Sequence, residues 1–167
     1  EQEASVVGVL GVLSAFVGAV AMWWLYFDHG ERAGSRAIAL AEKPGRIARL
    51  AYTYVHALII AGVVLTSVAD EAVLQHPEEA MTLPVALTIA GGPALYLIGL
   101  LLFRWVVARE LLVSHLVAVG LLGVAFAAAF SMSPLALGAL GTGVLIVTAA
   151  WETVVRVGRG TTDEGAG

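Results

Sequence analysis

The chain has 167 residues, of which 59% are hydrophobic and 13% charged, and its mean hydropathy is +0.90. A soluble domain is about half apolar and about a quarter charged, so an excess gathered into long, charge-poor runs excludes an ordinary soluble globule and predicts bilayer spans. Cysteine is absent, which excludes disulfides and thiolate metal centres, and the net charge of −4 says less than the places where the charges fall.

In chain order, Glu1-Gln2-Glu3 is an acidic start with neither a basic segment nor an initiator Met. It predicts no signal peptide and a fragment or processed product. The apolar run 4–27 is long enough to cross a hydrocarbon core of about 30 Å at about 1.5 Å per residue. Ser14 and Gly18 share a small-residue face for close helix approach. Trp23, Trp24 and Tyr26 form an interfacial aromatic belt, and Asp28 ends the span. The next stretch is a basic connector with Arg32, Arg36, Lys43 and Arg46. Residues 35–42 suit a short surface helix stopped by Pro44-Gly45. A second span is read over 49–69, then an acidic loop from Asp70 to Met81 containing His76-Pro77 as an exposed turn.

The third span is read over 82–103. Gly91-Gly92-Pro93 lies near its middle, and the proline predicts a kink or a short unwound turn. A fourth span over 111–130 carries His115. A fifth over 135–155 carries Glu152, whose spacing from Arg156 suits a local ion pair. Residues 1–157 thus form one transmembrane domain, and 158–167 a flexible polar tail.

All nine Lys and Arg fall in the first connector, the third connector or after the fifth span. The positive-inside rule then predicts an all-α, polytopic membrane helix bundle of five transmembrane helices, with the N-terminus outside and the C-terminus cytoplasmic. On that topology Asp28, Arg49, Tyr52, His56 and Glu152 gather in one layer near the cytoplasmic surface, with Arg49, Tyr52, Thr53 and His56 on one helical face. Each has a plainer use. His56 suits a hydrogen bond that locks packing, His115 is shallow enough to reach headgroups, and Asp28 suits pairing with Arg32, Arg36 or Arg49.

The stretches WWLYFDHGER, AYTYVHALIIAGVVL, the acidic loop with His76-Pro77, AGGPALYLIG and AWET occur in the order found in one family. Over residues 21–153 the chain resembles the C-terminal part of the bacterial low temperature requirement protein A (LtrA) family. The positions that carry the likeness are Trp23, Trp24, Tyr26, Asp28, Tyr52, Tyr54, His56, His76, Pro77 and Arg104. The resemblance implies a multi-pass protein of the bacterial plasma membrane, associated with growth in the cold, and brings no catalytic mechanism. Family members are about twice as long, so it also implies a missing N-terminal half.

Three functions are compatible with these readings. One is a transporter- or channel-like module whose cytoplasmic polar vestibule admits protons, small cations or solutes, with Gly91-Gly92-Pro93 exposing backbone near the midplane. Another is a structural or accessory subunit that packs in a homo-oligomer, with other membrane subunits or with the missing half, surrounded by lipid. The third is an electron-transfer subunit with His56 and His115 as axial ligands of a b-type haem. No metalloprotease, hydrolase-elbow, phosphate-loop or dinucleotide motif occurs, and no nucleophile is read beside a base with useful spacing. Membrane topology accounts for the basic residues without nucleic acid. Neither a catalytic residue nor a metal site is read.

Overall fold

A computed structural model of the chain describes the backbone of residues 2–29 and 44–164, with the side chains of 6–27, 45–46 and 49–158. The surface helix read over 35–42, with Arg32, Arg36 and Lys43, lies outside the described residues, and so does the side chain of Asp28.

The described residues are helical, with no strand among them. Helix α1 is Gln2–His29. Helix α2, Pro44–Arg49, leads through a π-helical segment, Leu50–Val55, into α3, His56–Gln75. Helix α4 is Leu83–Ala108 and α5 is Val113–Ala127. A 3-10 turn, Ala129–Ser131, precedes α6, Pro134–Glu164. Four stretches are long and apolar enough to cross a membrane: Val6–Phe27, Leu50–Gln75, Leu83–Ala108 and Pro134–Gly158. Helix α5 has 15 residues. Its rise of about 22 Å falls short of a hydrocarbon core of about 30 Å, so four to five apolar helices are able to span a membrane.

Several boundaries differ from the sequence reading, each for a local reason. The second span does not end at residue 69, because Asp70 and Glu71 sit comfortably in a helix. The Gln75 side chain donates back to Glu71 over 3.0 Å, and α3 stops only where Pro77 disfavours helix at the preceding residue. Pro44 opens a helix, where its missing N–H costs nothing. No unwound turn occurs at Gly91-Gly92-Pro93: α4 is helical from end to end. The last helix continues to Glu164, beyond the start of the expected flexible tail.

Helix α4 is the centre of the bundle, with 50% of its spanning window buried. It packs most intimately on α3, and glycine makes that possible. A Cβ on Gly99 would stand 2.7 Å from Ile59 Cγ1, and one on Gly92 2.6 Å from Thr66 Oγ1. Such approach, through small residues, is how membrane helices gain dispersion contact when lipid offers no hydrophobic drive. Helix α1 meets α6 in the same manner, as the Ser14–Gly18 face predicts. Thr142 Oγ1 donates to the Ser14 carbonyl over 3.2 Å and lies 3.1 Å from a Cβ placed on Gly18.

The core falls into two clusters. The larger joins Met22, Leu25, Ile59, Tyr96, Leu97, Leu122 and Leu145. The smaller, towards the His76 end, joins Ala69, Val73, Ala86, Ile89, Ala129 and Leu137.

Candidate functional site

The π segment positions the site. Here the His56 N–H bonds to the Ala51 carbonyl, five residues back, which widens the turn and shifts the register of α3. Ala51, Val55 and Ile59 point inward, whereas Arg49, Tyr52 and Thr53 are exposed. The face on which the sequence places Arg49, Tyr52, Thr53 and His56 together is therefore split. Tyr52 sets its ring edge-on against Phe103, with centroids 5.4 Å apart. His56 is half-buried and turns to α1, its ring 5.8 Å from that of Tyr26. Its Nδ1 is enclosed and has no hydrogen-bond partner among the described residues. Single-turn π segments recur at functional sites in other proteins.

From His56 a groove of about 290 Å³ runs between α1 and α3. Met22, Trp23, Tyr26 and Phe27 form one wall. On the other, His56, Val63, Ser67 and Asp70 succeed one another at steps of seven, four and three residues, which keeps them on one helical stripe. His56 and Asp70 are thus about 21 Å apart along the axis, both within the span Leu50–Gln75. Between them Thr66 Oγ1 donates to the Gly62 carbonyl over 2.9 Å, and Ser67 Oγ to that of Val63 over 3.1 Å. Each hydroxyl spends its proton on its own helix and presents an oxygen lone pair elsewhere. The floor includes Tyr96, 1% exposed, whose hydroxyl donates to the Met22 carbonyl over 2.5 Å.

The sequence reading places Asp70 in a loop and so misses it as a site residue. It ends the span at the first charge after an apolar run, although the run of helix-compatible residues up to His76 is the better signal.

A second polar group lies between α5 and α6. Ser114, His115 and Glu152 are 3%, 2% and 8% exposed. Ser114 Oγ donates to Glu152 Oε1 and lies 3.2 Å from His115 Nδ1, while that nitrogen is 3.9 Å from Glu152 Oε1. Glu152 is buried and turned to α5, Arg156 is exposed on the same helix, and His115 is buried in the first turn of α5. A serine thus stands beside a base. The hydroxyl, however, bonds the carboxylate directly, whereas a nucleophile relay places the histidine between them. The buried arrangement suits a structural lock.

The residues expected in one vestibule are thereby distributed. His56 lines the groove, Glu152 belongs to the α5–α6 group, and Arg49 and Tyr52 face outward. His56 and His115 border different features, and His115 is not among the groove's lining residues. Gly91, Gly92 and Pro93 lie inside continuous helix, Gly92 and Pro93 being buried. Arg104 donates to Glu110 Oε2 over 3.0 Å. His76 meets Glu79 at 2.8 Å in the exposed connector, which is tied to α6 by the Leu135 N–H donating to the Pro77 carbonyl over 3.0 Å. Among the described residues no three His, Cys, Asp or Glu gather to hold a metal ion.

The profile of the bacterial low temperature requirement A protein (LtrA) family matches residues 1–150. An uncharacterized protein of Rhizobium meliloti (strain 1021) is 34% identical over 140 residues, which is 84% of this chain and 34% of that relative. The match thus spans about a third of the relative's length. No solved structure matches the chain. With an all-helical bundle, four helices long and apolar enough to cross a membrane, and the family profile matched over nearly its whole length, the chain belongs to the LtrA family.

Proposed function

We propose that the chain is a transporter- or channel-like module of the bacterial plasma membrane that moves protons or a small cation along the α1–α3 groove. One observation carries this reading: a single apolar span holds two ionisable side chains, His56 and Asp70, on the stripe that lines one groove. An ionisable group inside a span is costly and is retained where it faces protein or a wet cavity. Two at separate depths, with Thr66 and Ser67 oxygens between, provide a series of polar stations across the hydrocarbon core. The path replaces the vestibule expected from the sequence.

The basic residues Arg46, Arg49, Arg104, Arg109 and Arg156 share the end of the bundle opposite the acidic connector with Glu78 and Glu79. The positive-inside rule places that basic end in the cytoplasm, with His56 nearer the inner surface and Asp70 nearer the outer.

The test is flux in proteoliposomes under an imposed proton or cation gradient. Wild type is expected to dissipate the gradient, and His56→Ala and Asp70→Asn each to slow it by about tenfold or more. Equal flux from wild type and both variants contradicts the reading. A second reading, an accessory packing module, draws on the match to only about a third of the relative's length. In that case flux requires the remaining segments or a further membrane subunit.

A further inference from the structure

A small space lies deeper than the groove, where α1, α3, α4 and α6 meet and the two core clusters adjoin. Its volume is about 20 Å³, and Thr66, Asp70, Ile89, Pro93 and Thr142 are among its lining residues. By this measure about 10–15 Å³ suffices for one water-sized particle. Thr66 and Asp70 border both this space and the groove, so the two are neighbours through those side chains.

The chemistry of the lining is one-sided. Pro93 has no N–H, so the carbonyl four residues earlier, that of Ile89, loses its helical donor, and both residues line the space. Thr66 Oγ1 sits over this turn, 2.6 Å from a Cβ placed on Gly92, with its proton committed to the Gly62 carbonyl. Thr142 Oγ1, beside Gly18, commits its proton to the Ser14 carbonyl. Asp70 adds a carboxylate. Ser14 Oγ stands 3.1 Å from Thr142 Oγ1 and, the Thr142 proton being committed, donates to it, which leaves Thr142 one lone pair. Thr66, Asp70, Ile89 and Thr142 thus bring four oxygen groups from three helices to a lining otherwise made of apolar residues such as Ala69, Val73 and Leu145. A water brings two hydrogens to these acceptors, whereas a cation satisfies all of them and neutralises Asp70.

We propose that this space is a binding site for one sodium ion, held by Asp70, the Thr66 and Thr142 hydroxyl oxygens and the Ile89 carbonyl. Hard oxygen donors suit an alkali or alkaline-earth ion. A single carboxylate balances one positive charge, which selects the monovalent ion. In transporters that couple to sodium, carbonyls of unwound helix segments bind the ion; here the proline alone frees the Ile89 carbonyl, inside a continuous helix. The site deepens the reading above by naming the cation, and rests on it only in that Asp70 and Thr66 border both spaces.

The experiment is equilibrium binding of radiolabelled sodium to the purified chain in detergent, with no gradient present. Wild type is expected to bind saturably at one ion per chain, and Asp70→Asn to weaken binding by about tenfold or more. Pro93→Ala restores the N–H that occupies the Ile89 carbonyl and favours the helix, so it keeps the test open should Asp70→Asn fail to fold. It is expected to weaken binding several-fold with helix content unchanged. Absence of saturable binding by wild type overturns the site, as does wild-type affinity in Pro93→Ala. Sodium binding without flux contradicts the conduction reading alone. Flux that depends on His56, from a chain that binds no sodium, contradicts this inference alone.

Discussion

Gly62 and Tyr96 are in backbone contact: a Cβ on Gly62 would stand 2.6 Å from the Tyr96 Cα and closer still to its nitrogen. No side-chain rotation relieves such a clash, because the atoms met belong to the main chain of α4. Gly62→Ala is therefore expected to force α3 and α4 apart and to cost about 1–3 kcal/mol, the usual range for overpacking. Gly120, whose Cβ would meet nothing within 4 Å, is the control. Gly120→Ala is expected to be neutral or to stabilise by about 0.5–1 kcal/mol through helix propensity. Thermal unfolding of the two variants in the same detergent separates them.

The Tyr96 hydroxyl links the central helix to α1 through the Met22 carbonyl. Tyr96→Phe keeps the ring and removes only this bond, so a loss of about 1 kcal/mol is expected. The same unfolding assay reads it. A loss no larger than that of an outward substitution such as Val64→Ala removes the bond from the account.

Glu152 holds Ser114 and lies beside His115 across the α5–α6 contact. Glu152→Ala is expected to cost about 2–3 kcal/mol, because buried polar partners lose their acceptor. Glu152→Gln, which retains a carbonyl oxygen for Ser114, is expected to cost less. A double-mutant cycle with Ser114→Ala should return a coupling of about 1 kcal/mol or more. A coupling near zero contradicts the lock.

Much of the architecture is legible in the residues. The apolar runs identify an all-helical chain with several helices long and apolar enough to cross a membrane, and the order of motifs identifies its family. Ser14 and Gly18 correctly mark the face of α1 that receives α6. Long-range partners are not legible. Sequence spacing sets Glu152 beside Arg156 on its own helix but does not display its partner across the α5–α6 contact, because Ser114 inside an apolar run carries no pattern at all. Asp70 reads as a loop residue when its charge is weighed against the hydrophobic run and not against the helix that contains it. The π segment changes which residues share a face with His56, and nothing in Leu50–Val55 announces an extra residue in the turn. Pro93 reads as a kink or a short unwound turn in α4; the helix runs through it without unwinding, at the cost of one carbonyl's partner.

The account turns on the stripe His56–Asp70 facing a wet groove rather than lipid. The chain contains no cysteine, so single-cysteine variants report without background. Ser67 lines the groove, whereas Val64 and Val68, on the same helix, are exposed and are not among its lining residues. Labelling in liposomes with a water-soluble, membrane-impermeant thiol reagent is the direct measurement. Rapid modification of Ser67→Cys, with Val64→Cys and Val68→Cys protected by lipid, is the predicted result. Equal protection of all three, or equal modification, would contradict it.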